Sequence, residues 1–372
     1  MNNRVNLSHS FALLVLTPVS CKSSSVLQVV MRKFAYNVCP LLLIPLICIT
    51  FCARTHAWKL SNVGFFSELE NVHSEWYSQY PLTPEDLAYM EEYTMAERVS
   101  AVTDEEIDEL VKKMRQADIN RASKEDIKLN YQNLTTMEED IDKAPKPLFA
   151  RINQSLFHSP TYAALINLHN VFNRMEEASE RLDDEDRIKI ETFLDAVAET
   201  DVYQLMKSFL QKKGLMPKRT PRFNKVFFKM WFKLYDSDDA KKSSSGFEHV
   251  FLGEWKTPLN ASLPAIVDGM HNWVRYFLLE KTGEINYKGY IEKVDNLLVT
   301  IKYDWGKYKK AIGSFLVGTS PEFEISLYTL CMLAKPNIGN CRFHIDGQTM
   351  YVLSFKFRDD PAVITTYPTL PE

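Results

Sequence analysis

The alternation of apolar and charged positions predicts helices through the middle of the chain. Carboxylates are concentrated at residues 85–109 and 138–142, and residues 181–195 alternate charge at helical spacing, which is typical of solvated helix faces. Glycine and proline interrupt the pattern near residues 143–147 and 214–221. The pattern therefore predicts mostly helical structure from about residue 84 to 235, with breaks at these two places.

Beyond residue 235 the pattern changes. Residues 236–245 are polar and small, which predicts a flexible connection, and β-forming residues are then concentrated in short runs at 297–301 and 351–355. A helical part over 101–235 followed by a mixed strand and helix part over 246–372 gives an α+β fold. The sequence has no long internal repeat, heptad array or phosphate-binding glycine loop.

An apolar run near the N terminus predicts a signal peptide. Two basic residues at 32–33 precede the apolar run 41–52, and small residues follow it. The run is short for a bilayer span and contains Pro45, so we expect removal of residues 1–57, with translation starting at Met1 or Met31. A secreted protein is expected, and a signal-anchored membrane protein is the alternative.

Composition and charge exclude a general polyanion binder. The chain has 372 residues, of which 45% are hydrophobic and 25% charged, ordinary values for a globular protein. Residues 1–57 hold five basic and no acidic residues, so the expected mature chain has 39 basic and 48 acidic residues. Affinity for nucleic acid would therefore have to come from local clusters.

One basic and aromatic cluster lies at residues 207–233. Its basic residues are Lys207, Lys212, Lys213, Lys218, Arg219, Arg222, Lys225, Lys229 and Lys233, and its aromatic residues include Phe223, Phe227, Phe228, Trp231 and Phe232. Lysines can contact phosphates while aromatic rings stack on bases. The more frequent alternative is that the rings belong to the core and the lysines line a neighbouring surface.

Two histidines and a lysine in the last third of the chain are the candidates for catalysis: His249, His271 and Lys310. Near neutral pH two imidazoles can act as general base and general acid, and an ammonium can stabilise an oxyanion. This set suits RNA cleavage, because the ribose 2′-hydroxyl lies beside its own phosphodiester and supplies the nucleophile. Such a site leaves a 2′,3′-cyclic phosphate and does not cleave DNA.

The segments around these residues resemble the signature blocks of the eukaryotic EndoU (XendoU-type, poly(U)-specific) endoribonucleases, in the same order. The blocks are 245–254, 269–273, 305–314 and 313–324, and further segments that match are 107–110, 118–121, 126–130, 146–149, 161–162, 327–331 and 366–368. The resemblance covers roughly residues 100–372. It implies an EndoU-like domain over 101–372, preceded by an extension of unknown role at 58–100.

The resemblance also implies roles for the three candidates. His249 is similar to the general acid that protonates the leaving 5′-oxygen, and His271 to the base that takes the 2′-hydroxyl proton, with exchange of the two roles as the alternative. Lys310 is similar to the catalytic lysine, because it precedes the Gly-Ser pair at 313–314 by three residues, and Lys307 and Lys309 are its competitors.

Four further residues match positions that support the family's site. Glu248 and Glu254 are similar to carboxylates needed for activity, and a carboxylate near an imidazole favours its protonated form. Pairing with surface lysines is the alternative for both, and neither is assigned as a metal ligand. Ser314 and Tyr367 are similar to the uracil-binding pair, since a hydroxyl can read a pyrimidine edge and a tyrosine ring can stack on the base. Core packing is the alternative for Tyr367.

The interval between the two histidines is longer than the resemblance implies. It contains Pro258, Pro264 and an acceptor triplet at Asn260, and a lengthened hairpin-like loop would absorb the extra residues. Further triplets lie at Asn133 and Asn153, so a secreted chain would offer three N-glycosylation sites. A glycan at Asn260 would change access to the cleft.

The cysteines agree with export. Of six cysteines, only Cys331 and Cys341 lie outside residues 1–57, ten residues apart, which predicts one disulfide in a secreted protein. A zinc site is not expected, because no second cysteine pair exists.

Together these observations favour a secreted, monomeric endoribonuclease that cleaves single-stranded RNA at uridylates, with no DNA substrate and no stable membrane partner. The resemblance implies a divalent cation, manganese, that orders the RNA or the site rather than generating a nucleophile. A catalytically inactive RNA- or partner-binding protein of the same fold is the main alternative. A metal-dependent hydrolase using His249, Glu254 and His271 lacks a recognisable ligand spacing.

Overall fold

The computed structural model describes residues 102–176, 178–235, 243–258, 263–335, 341–357, 360 and 362–371. Most of its helices precede residue 235. The helices are Asp104–Ala117 (α1), Pro160–Leu168 (α2), Asp184–Ala198 (α3), Asp201–Lys212 (α4), Thr220–Phe232 (α5), Trp273–Lys281 (α6) and Pro321–Ala334 (α7). Across the described ranges, no helix is both long and apolar enough to cross a lipid bilayer.

The strands form three sheets. They are Ile127–Leu129 (β1), Phe149–Ile152 (β2), Glu254–Lys256 (β3), Ile266–Asp268 (β4), Ile285–Val294 (β5), Leu298–Trp305 (β6), Tyr308–Leu316 (β7), Cys341–Ile345 (β8), Gln348–Lys356 (β9) and Val363–Thr369 (β10). The five-stranded sheet has the order β3-β4-β7-β6-β5, the three-stranded sheet β10-β9-β8, and β1 pairs with β2. Only β4 and β7 pair in parallel among these strands.

The α+β class is confirmed, and so are the break near Gly214 and the strands at 297–301 and 351–355. Helix is wrong for residues 118–142 and 148–159, which contain β1, β2 and a 3-10 turn, whereas the break at 143–147 is confirmed. The reason is tertiary: the buried carboxylate of Glu280 on α6 accepts the main-chain N–H groups of Leu148 and Phe149, at 2.7 and 3.0 Å. These bonds hold the start of β2 extended against its local pattern.

Several other predictions fall partly or wholly outside the described residues. Residues 1–57, residues 58–100 and Asn260 all lie outside them. Of the predicted connection at 236–245, the described residues are Ser243–Ser245, which are buried rather than exposed. Their bridge to the end of the helical part, Tyr235 with Ser244, ties them to the fold.

The aromatic rings of the 207–233 cluster belong mainly to the core. Phe223, Phe227, Trp231 and Phe232 are at most 2% exposed. Lys229 and Lys233 form ion pairs with Asp360. These four rings are therefore not available for stacking on bases, and the core alternative holds for them.

The predicted disulfide is present: Cys331 on α7 is bonded to Cys341 at the start of β8. Of the predicted glycosylation sites, Asn133 and Asn153 are exposed. Their amide groups are already engaged, since each Nδ2 donates at 2.8 Å, from Asn133 to Lys143 O and from Asn153 to Asp126 Oδ1.

An aromatic core connects the helical part to the catalytic part. Phe247 stacks on Phe232 of α5 with ring centroids 4.5 Å apart, and on Phe251 at 4.9 Å. Phe251 also meets Trp231 edge to face at 5.6 Å. These rings hold the chain on both sides of His249 against the helices, since buried aromatic rings dominate core energetics.

Replacing Phe251 by alanine is expected to lower the free energy of unfolding by about 3–5 kcal/mol, because a fully buried ring is lost and a cavity remains. Urea unfolding followed by circular dichroism measures this. The control is Ile188→Ala on α3, where the side chain is 62% exposed and the expected change is within ~0.5 kcal/mol. Equal effects of the two substitutions would contradict the assignment of Phe251 to this core.

Candidate active site

His249 lies on a short π-helical turn, Glu248–Leu252. Its neighbours two positions away, Phe247 and Phe251, enter the aromatic core, so the imidazole lies on the other side of the turn. His249 keeps 13% of its side chain exposed. π-Helical turns are often found at functional sites.

Two glycines let the segments that carry the histidines meet. A Cβ on Gly269 would lie 1.8 Å from the carbonyl oxygen of His249, and one on Gly253 would lie 2.6 Å from the Cβ of Met270. Both glycines have φ in the left-handed region, +63° and +77°. The close approach lets the main-chain N–H of Met270 donate to His249 O at 2.8 Å. The N–H of His271 donates to Val250 O at 2.7 Å.

Two carboxylates face the ring of His249. Glu254 Oε2 lies 2.9 Å from Nδ1, and Asp268 Oδ1 lies 4.0 Å from Nε2. Burial opposes protonation, but Asp268 and Glu254 together raise the pKa of His249 above its ordinary value, against a smaller opposite effect of Lys310. Asp268 is not among the residues predicted from the sequence, because its position here follows from strand pairing.

The carboxylate oxygens of Glu248 have no hydrogen-bond partner among the described residues, so they do not pair with His249. Consecutive residues on a helical turn face different directions, and the side chain of Glu248 is 1% exposed inside the fold. Burial raises its pKa well above the usual range, with further contributions from Glu254, Glu180 and Glu176. Burial and the neighbouring carboxylates therefore favour the neutral form of Glu248 behind the turn, whereas Glu254 contacts the imidazole.

His271 is buried in surroundings that favour its neutral form. Its Nδ1 lies 2.8 Å from the carbonyl oxygen of Ser314, which can only accept, so Nδ1 carries the hydrogen and Nε2 keeps its lone pair. Burial first, and then the charge of Lys310, place the pKa of His271 well below its ordinary value. Tyr367 stacks on the ring, with centroids 5.0 Å apart and planes inclined by 21°. The arrangement fixes the ring and leaves Nε2 able to accept a proton.

Lys310 reaches the site because β7 is irregular beside it. Ile301 pairs with Gly313 but Tyr303 pairs with Lys310, so β7 has an extra residue opposite Lys302, and such a bulge redirects side chains. Gly313 leaves room for the lysine, since a Cβ there would lie 3.2 Å from its Cγ and Cε.

The ammonium of Lys310 donates to the carbonyl of Gly269 at 2.7 Å. Burial lowers its pKa, while Asp268 and Glu254 oppose the shift. The competitor Lys309 points the other way, is 44% exposed and pairs with Asp140 at 2.7 Å. Lys307 lies over the ring of Tyr308. Of the three lysines, the structure brings Lys310 to the histidines.

Ser314 and Tyr367 join the two larger sheets at the site. The hydroxyl of Ser314 on β7 donates to the carbonyl oxygen of Pro368 on β10 at 2.5 Å. Tyr367, the neighbour of Pro368, covers His271. Both residues therefore lie at the candidate active site.

The residues near the histidines do not fit a resident metal ion. Within the described ranges, no group of three or more His, Cys, Asp or Glu is arranged to hold one. The nearest carboxylates have other partners, since Glu254 binds His249 and Asp268 accepts the N–H of Gly269. No chemical step is therefore assigned to a cation.

Chemically, the site combines an imidazole whose carboxylate neighbours favour the protonated form, a buried imidazole whose surroundings favour the neutral form, and the buried amino group of Lys310. The protonated ring can give a proton while the neutral ring takes one, and the ammonium can neutralise charge that develops between them. These groups suit an intramolecular displacement, in which a hydroxyl of the substrate is the nucleophile and another oxygen of the same substrate is the leaving group.

Comparisons with known proteins agree with this arrangement. The family described as Endoribonuclease XendoU matches residues 106–368. The uridylate-specific endoribonuclease of Homo sapiens is 36% identical over 263 residues, which cover 68% of this chain and 62% of the relative. Uridylate-specific endoribonuclease C of Xenopus laevis is 35% identical over 264 residues, covering 69% of this chain and 84% of the relative.

A solved structure is also similar. It is described as "The structure of XendoU: a splicing independent snoRNA processing endoribonuclease", and it matches with a TM-score of 0.60 and 27% identity over 72% of this chain and 97% of that one. The chain spans 61–62% of the length of the human and bovine relatives.

Proposed function

Because the chain belongs to the XendoU family over residues 106–368, we propose that it is an endoribonuclease that cleaves single-stranded RNA at uridylates by transesterification, leaving a 2′,3′-cyclic phosphate. The observation that carries the proposal is the contrast between the surroundings of the two imidazoles: two carboxylates face His249, whereas His271 is buried with its Nδ1 against the carbonyl oxygen of Ser314. Carboxylates favour the charged form of His249, whereas burial and Lys310 favour the neutral form of His271. Acid–base catalysis of one displacement needs both forms at the same pH.

In the first part of the proposed step, Nε2 of His271 takes the proton of the ribose 2′-hydroxyl. The donated hydrogen bond from its Nδ1 to Ser314 O keeps the lone pair on Nε2. The 2′-oxygen then bonds to phosphorus. Lys310 stabilises the extra negative charge on the phosphoryl oxygens, since an ammonium has three hydrogens and the carbonyl of Gly269 uses one.

In the second part, the bond from phosphorus to the 5′-oxygen breaks, and Nε2–H of His249 protonates the departing oxygen. Its Nδ1–H donates to Glu254, which fixes the ring plane while Nε2 delivers the proton. His271 has then gained the proton of the 2′-hydroxyl, and His249 has lost one to the 5′-oxygen. Proton exchange with water returns both rings to their starting forms. The directions of the two pKa shifts favour this assignment over its exchange.

Selection of uridine is proposed to rest on Ser314 and Tyr367. Because the hydroxyl hydrogen of Ser314 is donated to Pro368 O, its oxygen offers lone pairs to a ligand. Uracil presents an N3–H donor to such an acceptor, whereas N3 of cytosine is itself an acceptor. A base could stack on the face of Tyr367 that His271 does not occupy.

Secretion, glycosylation, a monomeric state and dependence on manganese are further proposals. Secretion rests on the apolar run within residues 1–57, and the disulfide agrees with an oxidising compartment. Manganese rests on the resemblance to the EndoU family. Sedimentation of the mature chain would test the monomeric state. Cleavage rates with and without manganese would test dependence on the ion.

The test uses one short RNA with a single uridine and its twin with 2′-deoxyuridine at the same position. The mature chain, with and without manganese, is expected to cleave the first and leave a cyclic phosphate. The twin is expected to bind and inhibit but to stay intact, because its nucleophile is missing.

A matched RNA with cytidine at the same position is the control for base selection. Cleavage of the deoxy twin would contradict transesterification and favour a hydrolase. Binding of both RNAs without cleavage in either ion condition would favour the inactive binding protein.

A further inference from the structure

Two carboxylates stand directly opposite each other in the hairpin beside the active site. Glu254 on β3 is paired with Asp268 on β4. Like charges directly opposite in an antiparallel pair destabilise it, unless a positive group lies between them. The imidazole of His249 occupies that place, with Nδ1 2.9 Å from Glu254 and Nε2 4.0 Å from Asp268.

The two carboxylates differ in their setting. Glu254 is 1% exposed, whereas 37% of the Asp268 side chain is exposed, so Asp268 lies at the open side of the ring. Its Oδ1 accepts the N–H of Gly269 at 3.0 Å, which orients the carboxylate toward Nε2. Partial burial opposes ionisation of Asp268, but His249 and Lys310 keep its pKa below the usual value, so it stays charged.

We propose that Asp268 is a positioning residue that holds the acidic proton on Nε2 of His249. The inference rests on the proposed function, in which His249 is the general acid. Glu254 alone is satisfied by a neutral ring that donates from Nδ1, and this tautomer has a bare Nε2 with nothing to give the leaving oxygen. A second carboxylate on the Nε2 side makes protonation of both nitrogens favourable.

The other charged groups that face His249 fit this role. Lys310 disfavours its protonation, and His271 is neutral. Without Asp268, Glu254 alone would have to offset both burial and the ammonium. Asp268 also borders the space that the RNA phosphate would enter, so its charge opposes substrate binding while it supports the acid.

The substitution Asp268→Asn separates these two effects, because the amide keeps the shape and still accepts the N–H of Gly269. The alkaline limb of kcat/KM, where His249 loses its proton, is expected to move to lower pH. At pH values above the alkaline limb of the wild type, kcat/KM of Asp268→Asn is expected to be about 3- to 10-fold lower than that of the wild type. On the plateau, the two values are expected to agree within about twofold. KM on the plateau stays equal or falls, since a negative charge beside the phosphate is removed.

The second readout does not need activity. The ¹³C shift of the His249 ring is titrated in the free enzyme, with the signal assigned by its absence in His249→Ala. Its pKa is expected to fall in Asp268→Asn. The matched control is Asp140→Asn, which removes an exposed carboxylate paired with Lys309, next to Lys310, and is expected to leave the His249 titration and the pH profile unchanged.

Two results would overturn the proposal: a His249 titration in Asp268→Asn that matches Asp140→Asn, or a uniform loss of rate at all pH values with the limb in place. If the wild type does not cleave uridine RNA at all, the proposed function fails. The ring titration then still decides whether Asp268 holds the proton.

Discussion

Replacing His271 by alanine is expected to lower the single-turnover rate of cleavage at uridine by about 10²–10⁴-fold, the usual contribution of a positioned general base. The neutral ring with an open Nε2 is the group suited to the 2′-hydroxyl proton. Tyr367 loses its stacking partner in this variant, so uridine binding is expected to weaken only modestly. Quenched-flow cleavage of the single-uridine RNA, with binding measured on the deoxy twin, separates the two effects.

The control for this substitution is His344→Ala. His344 also contacts a carboxylate, Asp108 at 2.9 Å, but it lies on β8 away from the site. We expect it to change the cleavage rate by less than about twofold, as for most surface substitutions. A larger loss in His344→Ala than in His271→Ala would contradict the assignment of the base.

The pH profile of the same variant tests the order of the roles. A base with a lowered pKa is active above that pKa and is lost as pH falls through it, so His271 sets the acidic limb. An acid with a raised pKa is active below it and is lost as pH rises, so His249 sets the alkaline limb. His271→Ala should remove the acidic limb and keep the alkaline one. The opposite result would exchange the two roles.

The two histidines and the lysine could be predicted from the sequence because each lies in a short sequence motif. The local pattern of the sequence also predicts the strand at Leu298–Trp305, where β-forming residues are concentrated. It does not predict Asp268, because the contact with His249 depends on which residue pairs with Glu254 across the hairpin. Strand register is set by long-range packing and turn geometry, which a single chain pattern does not contain.

The same limit explains the other differences. Glu248 and Glu254 flank His249 in the sequence, yet the turn directs one into the core and pairs the other with the ring. The main chain of Leu148 and Phe149 is held by Glu280, more than a hundred residues away. The motif favours Lys310 over its neighbour Lys309, and the strand alternation with the bulge is the physical reason why Lys310 reaches the site.

Replacing Lys310 by methionine is expected to lower the cleavage rate by about 10²–10³-fold, because its ammonium is the buried donor for charge developing on the phosphoryl oxygens. It should also move both limbs of the pH profile to higher pH, since Lys310 lowers the pKa of His271 and of His249. Cleavage of the single-uridine RNA across the pH range measures both effects.

Lys309→Met is the matched control for Lys310→Met. Lys309 is the adjacent residue and carries the same charge, but its ammonium is paired with Asp140 at the surface, so the rate is expected to stay within about twofold. A comparable loss from both substitutions would mean that general positive charge attracts the RNA. A loss confined to Lys310→Met, with both limbs displaced, requires an ammonium at the reacting phosphate that also acts on both imidazoles.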